Sequence, residues 1–177
     1  GGTWYGGEIS LKHMTGICSL SAATSWQDTR SVAITHPISV NDLHILLRRA
    51  PNLEYAYIER VVRDTGNNRE WEQFDALCLQ TLNIGQTEVP VGGIFRDMQV
   101  YGLRHLHIGY APNCSYYLWS DEPDLYRFLR RGGMTAQGTL SIEANDDWYR
   151  EERAAQLRQS LKHALGPARS DQWILSV

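Results

Sequence analysis

The chain has 177 residues, of which 42% are hydrophobic and 21% are charged. This length suits one domain with a single core, and both fractions lie near globular averages, which excludes a disordered chain and a coiled coil. Its 17 basic and 20 acidic residues are mixed along the sequence and leave a formal charge of −3, so it carries no basic footprint for nucleic acid or an anionic membrane. No apolar stretch approaches the roughly 20 residues of a membrane span. We therefore expect a single domain over residues 1–177, with no nucleic acid partner and no membrane span.

The cysteines and the first residues indicate the setting in which the chain works. Cys18, Cys78 and Cys114 form an odd set without metal-type CxxC spacing, which disfavours a disulfide framework and favours a reducing compartment. The opening GGTWYGGEIS lacks a methionine, so we expect a module excised from a larger polypeptide. No internal repeat is evident.

The first half of the chain has a mainly helical pattern. Cys18, Ala22 and Trp26 recur at every fourth position after a glycine turn, which predicts a helix with one buried stripe. Ser39 is the expected N-cap of a helix over VNDLHILLRR, which ends at Pro51. Two further helices are predicted, over NLEYAYIERVVRDTG and over a segment whose apolar residues share a helical face: Trp71, Phe74, Leu77, Cys78 and Leu82.

The second half is richer in strand-forming residues. LRHLHIGYA and SYYLWS, separated by the turn residues PNC, predict an antiparallel hairpin. DLYRFLRR predicts a helix, TLSIEA a strand and QWILSV an edge strand. Between these two strands, Asn145 or Asp146 is the expected cap of a helix whose apolar residues share a face: Ala154, Leu157, Leu161 and Leu165. Helices followed by an antiparallel sheet give an α+β class.

Cys18 is the first candidate for chemistry. The unpaired N–H groups and the dipole at a helix N-terminus stabilise a thiolate, which is the nucleophilic form of cysteine. The small residues that follow it would let this helix pack closely on a sheet. The alternative is that Cys18 is a small hydrophobic residue of the core, the usual role of a free cysteine.

A nucleophilic thiol needs a base, and the predicted hairpin supplies one. Folding about Asn113 would bring His105 opposite Asp121, so that a carboxylate could orient the imidazole. His107 shares the face of His105 and is the competing base. The alternative is that HLH is a polar stripe on an exposed face and that Asp121 caps a helix.

A metal site is the other chemical interpretation of HLH. Two histidines two residues apart on a strand face the same way, and zinc would take one or two more ligands from the nearby Cys114, Asp121 or Glu122. We favour the triad over this site and expect neither a metal nor a cofactor.

Two segments together resemble a known family. GICSLSAATSW is similar to the nucleophile region, and HLHIGYAPNCSYYLWSDEPDLYRF to the histidine and aspartate region, of papain-like cysteine proteases of the YopT/AvrPphB bacterial effector type. The order Cys, His, Asp also agrees. The two pieces cover about 35 residues, and the chain between them shows no resemblance.

The resemblance implies a papain-like fold and a function. The helical first half would carry the nucleophile at a helix N-terminus packed on an antiparallel sheet, with Cys18 as nucleophile, His105 as base and Asp121 as orienting residue. The chain would be a toxin or effector domain, secreted by a bacterium, that cleaves a protein in the cytoplasm of a target cell and that a cognate inhibitor or immunity protein could restrain. The alternatives are a glutamine deamidase or transglutaminase with the same triad, and a non-enzymatic binding module.

Overall fold

A large parallel sheet organises the chain. The computed structural model describes residues 8–11, 26–65, 73–89, 91–110, 138–143 and 173–176, with single positions between 151 and 166. The elements in chain order are β1 (Glu8–Leu11), β2 (Ser31–Ile34), β3 (Ile38–Ser39), α1 (Val40–Arg49), β4 (Tyr55–Val62), β5 (Phe74–Asp75), β6 (Thr81–Thr87), α2 (Val91–Phe95), β7 (Met98–Gln99), β8 (His105–Tyr110), β9 (Gly138–Glu143) and β10 (Trp173–Ser176).

The strand order of the large sheet follows the chain. Its path is β1-β2-β4-β6-β8-β9-β10, with β3 beside the end of β4, and β5 and β7 form a small second sheet. Every strand pairing in the described part of the chain is parallel. A parallel neighbour requires a crossover, so from β2 to β8 the chain makes one coil for each successive strand of the large sheet. Over these strands the arrangement is that of a solenoid, in which each coil packs on the next.

The same pattern of apolar residues recurs in successive coils. Leu79, Leu82 and Ile84 are fully buried, and the pattern Leu-x-x-Leu-x-Ile returns at Leu103, Leu106 and Ile108. Paired strands bring equivalent residues into register, which gives coils of about 25 residues. The expectation that the chain has no internal repeat is therefore wrong.

The helix α1 covers the core on the crossover side. The Ser39 hydroxyl accepts a hydrogen bond from the Asp42 N–H at 3.1 Å, and the helix ends at Arg49 with Ala50 as its C-cap. The helix that the sequence predicts here is thus confirmed, and Leu43, Leu46 and Leu47 pack its buried face into the core.

The predicted α+β, papain-like fold with a helical first half is wrong. Residues 55–62 form β4, whose Tyr55 and Tyr57 are exposed while Ala56 and Ile58 are buried. That alternation has the period of a strand, and aromatic and β-branched residues favour it. The next predicted helix is replaced by β5, a turn at residues 77–78, and β6. The architecture is mostly parallel sheet with few helices, closer to the α/β class.

The predicted antiparallel hairpin is also wrong. Strand β8 pairs in parallel with β6 on one edge and with β9 on the other, so neither edge is free for an antiparallel partner. The strands predicted over TLSIEA and QWILSV are confirmed as β9 and β10. The helices predicted around Cys18 and over DLYRFLRR lie outside the described residues. Among the residues described, no helix has the length and apolar character needed to cross a membrane.

Candidate functional site

Of the predicted triad, only His105 lies among the described residues. It is the first residue of β8, it is exposed, and its Nδ1 is 2.7 Å from the Thr139 hydroxyl oxygen on β9, to which it is hydrogen-bonded. His107 is half-buried two residues further along the same strand. Cys18 and Asp121 lie outside the described residues. Without the hairpin, the register expected to bring residue 121 opposite His105 is absent.

The alternative chemical interpretations fare similarly. The metal site would need Cys114, Asp121 or Glu122, all outside the described residues, and the described residues contain no group of three metal-ligating side chains. Cys78 was expected to be shielded on a helix. It is an exposed free thiol in the turn before β6, because this segment is a turn and a strand.

His105 belongs to a wider surface, the side of the large sheet that faces away from the core. We call it the open face and define it by the outward residues of the strands whose side chains are described: Ser31, Ala33, Tyr55, Tyr57, Glu59, Thr81, Asn83, His105, His107, Thr139 and, on β10, Ile174. Because all strands are parallel and in register, these residues form rows across the sheet. By register, one row runs Glu8, Ser31, Tyr55, Thr81, His105, Thr139 and Ile174; the next runs Ser10, Ala33, Tyr57, Asn83, His107, Ser141 and Ser176.

Two tyrosines dominate the open face. Tyr55 is 47% exposed and Tyr57 is 42% exposed, and both project from β4 on the same side. Aromatic rings left in water forgo the free energy of burial, which is worth about 1.5–3 kcal/mol for a large apolar side chain. Their neighbours on β6, Thr81 and Asn83, have shorter, polar side chains.

Beyond the tyrosines, the third row contains Glu59, two glycines and, opposite Gly109 on β9, Glu143. Glu59 is exposed and lies opposite Gly85 of β6, since the residues on either side of the two are paired. A Cβ on Gly109 of β8 would lie 2.0 Å from the Gly85 carbonyl oxygen, so a side chain cannot be accommodated there. The row therefore has no side chain on β6 or β8 beside Glu59.

Two ion pairs lie at opposite ends of the strands. Arg30 Nη1 is 2.5 Å from Glu54 Oε1 before β2 and β4 begin, and Arg60 is bound to Glu88 near the ends of β4 and β6. Each pair joins adjacent coils. Arg60 follows Glu59 in the chain and is engaged by Glu88.

Among the described residues, one titratable side chain lies in the core, away from the open face. His44 of α1 is 2% exposed, and its Nε2–H donates a hydrogen bond to the carbonyl oxygen of Ile94 at 2.7 Å. Its ring meets Phe74 edge-on at 5.4 Å. Burial lowers the pKa of His44 below its ordinary value of 6.5, although the hydrogen bond to Ile94 and the charge of Asp97 oppose that shift. His44 is thus a neutral core residue.

Sequence reasoning took His105 as a catalytic base, with His107 as the competing base, and missed the tyrosines on the neighbouring part of the sheet. The overlooked feature is the alternation in YAYIE, QTLNIG and RHLHIG, which comes into register when the segments are aligned on their buried isoleucines, Ile58, Ile84 and Ile108. No family model matches the chain, and no curated protein or solved structure is significantly similar to it.

Proposed function

We propose that the chain is a non-enzymatic binding module that holds a protein partner on its open face. The observation that carries the proposal is the contrast between the repeated core rows and the variable rows above them. Packing between coils accounts for Ile58, Ile84 and Ile108 in one buried row. It does not account for exposed Tyr55 and Tyr57, whose rings contribute nothing to that core.

The chemistry of the open face suits a protein. Tyrosine offers a large, rigid and amphipathic contact surface at low entropic cost, and it is enriched at interface hot spots. Thr81, Asn83 and His107 add short polar groups that donate and accept hydrogen bonds. The described rows of this face carry no Lys or Arg, which argues against a phosphate backbone as ligand. Solenoids use extended faces of this kind for recognition.

The cysteine protease with Cys18, His105 and Asp121 stays a prediction, as do the deamidase or transglutaminase with the same triad and the toxin role in a target cell. The hairpin that motivated the pairing of His105 with Asp121 is not formed. The hydrogen bond between His105 and Thr139 gives this imidazole a second role, within the sheet. A binding module requires that C18A leave partner binding unchanged, whereas a protease requires that C18A abolish cleavage.

The proposal is tested with phage-displayed peptide libraries, one linear and one closed by a disulfide, selected against the whole chain. We expect selected peptides to bind Y57A about tenfold more weakly, because a central aromatic anchor is lost. The matched control is Y101A, which removes a tyrosine that is 39% exposed in the turn before β8 and outside the open face.

Thermal unfolding of both variants checks that each one folds. Peptides that bind wild type, Y57A and Y101A equally, or a selection that yields no binder, would contradict the proposal.

A further inference from the structure

The charges of the open face indicate the kind of segment that binds there. Within the described strands, the three rows contain three acidic positions, Glu59 on β4, Glu8 opposite Ser31 and Glu143 opposite Gly109, and no Lys or Arg. The neighbouring Arg60 is bound to Glu88, so it does not neutralise Glu59. An exposed carboxylate next to two exposed aromatic rings is complementary to a cation.

The spacing on β4 fits such a cation. Tyr57 and Glu59 are two residues apart on one strand and project to the same side, which sets their Cβ atoms roughly 7 Å apart. An Arg or Lys side chain that lies over the Tyr57 ring would gain a cation–π contact within about 6 Å of the ring centre. From there it reaches the Glu59 carboxylate, and a guanidinium can donate two parallel hydrogen bonds to it.

The strands beside Glu59 contribute no side chain at its level. Gly85 lies opposite Glu59 on β6, and Gly109 follows on β8. The Glu59 carboxylate therefore has no side-chain neighbour on these two strands.

We infer that the open face receives a basic segment of its protein partner, with an Arg or Lys side chain between Tyr57 and Glu59. This inference rests on the proposed binding function and specifies the partner's chemistry. An acidic or uncharged segment would leave Glu59 without a counter-charge.

The experiment is a double-mutant cycle on a selected peptide. Peptides selected against the whole chain are first scored for their content of Arg and Lys. The basic peptide with the highest affinity is then made in two forms, as selected and with its basic residue replaced by Gln. The affinity of each form is measured for wild type and for E59Q. We expect E59Q to weaken the original peptide about threefold to fivefold, in line with an exposed ion pair. We expect E59Q to leave the Gln-substituted peptide unaffected, so that the two changes are coupled.

The matched control is D75N, which removes one negative charge from β5 in the second sheet. It should leave the affinity unchanged, because its carboxylate is not on the open face. Selected peptides without enrichment in Arg or Lys, or additive effects in the cycle, would overturn the inference. If those peptides still lose affinity with Y57A, the proposed function survives that failure; if none depends on Tyr57, the proposed function falls as well.

Discussion

The two faces of the large sheet obey different rules. On the core side, one buried row holds isoleucine in four strands, Ile34, Ile58, Ile84 and Ile108, and the neighbouring buried row stays apolar, with Val32, Ala56, Leu82 and Leu106. On the open face, the equivalent positions change from serine to tyrosine, threonine and histidine. The core row must fit the coil above and the coil below, so packing restricts it to one shape. The open face has no such neighbour, so its residues are free to serve recognition.

The largest effect should come from breaking the repeated row. Ile84 is fully buried between Ile58 and Ile108, and I84A removes its contacts with both adjacent coils. We expect the free energy of unfolding to fall by about 2–5 kcal/mol, the usual cost of an Ile-to-Ala change in a core. Chemical denaturation monitored by circular dichroism measures it.

The control for this change lies on the same strand but on the other face. Asn83 is half-buried on the open face, and N83T keeps a short polar side chain with good strand propensity. Its effect should stay within about 0.5 kcal/mol. Equal losses from I84A and N83T would show that the two faces do not differ as we describe.

A smaller effect on the free energy of unfolding should come from protonation of His44 in the core. The pKa of His44 is lowered in the folded state, so the unfolded chain takes up this proton more readily, and protonation favours unfolding. The contribution of His44 to stability is therefore complete above its ordinary pKa of 6.5 and is lost as the pH falls below that value toward the lowered, folded-state pKa.

The comparison is between wild type and H44Q, whose amide can still donate to the Ile94 carbonyl but does not titrate. Urea unfolding at pH 8 and pH 5.5 should show a larger acid-induced loss in wild type than in H44Q. An identical loss in both would mean that other groups cause the acid sensitivity.

The sequence predicts single elements better than it predicts their arrangement. Ser39, as a helix cap, and the strand-forming residues of RHLHIG act through local chemistry, and both elements are present as expected. The segment from Phe74 to Leu82 misleads because a repeat of the Leu-x-x-Leu type places apolar residues three apart, which is also the spacing of a helix face. Only the recurrence of that pattern about 25 residues later distinguishes the two, and it becomes evident when coils are aligned.

The sequence predicted the candidate site only in part, because it indicates single strands but not how they pair. HLH drew attention to β8 because histidines suggest chemistry, and His105 and His107 do share the open face. The tyrosines of YAYIE were assigned to a helix, so their common direction with His105 could not be deduced. That direction depends on the pairing of β4, β6 and β8 across long sequence separations, which no local pattern encodes.

The smallest effect should come from the ion pairs at the ends of the strands. The Arg60 side chain is 45% exposed and that of Glu88 is 29% exposed, so water and salt screen their attraction. Such pairs contribute at most about 1 kcal/mol, and often nothing measurable. We expect R60Q to lower the free energy of unfolding by less than 1 kcal/mol, with the difference shrinking further in 1 M salt. Denaturation at low and high salt measures this, and R63Q provides a control with an exposed arginine that follows β4. A loss of stability from R60Q as large as that from I84A would contradict this prediction. It would mean that ion pairs between coils, rather than the isoleucine row, hold the coils together, and that the contrast between the two faces has a different physical basis.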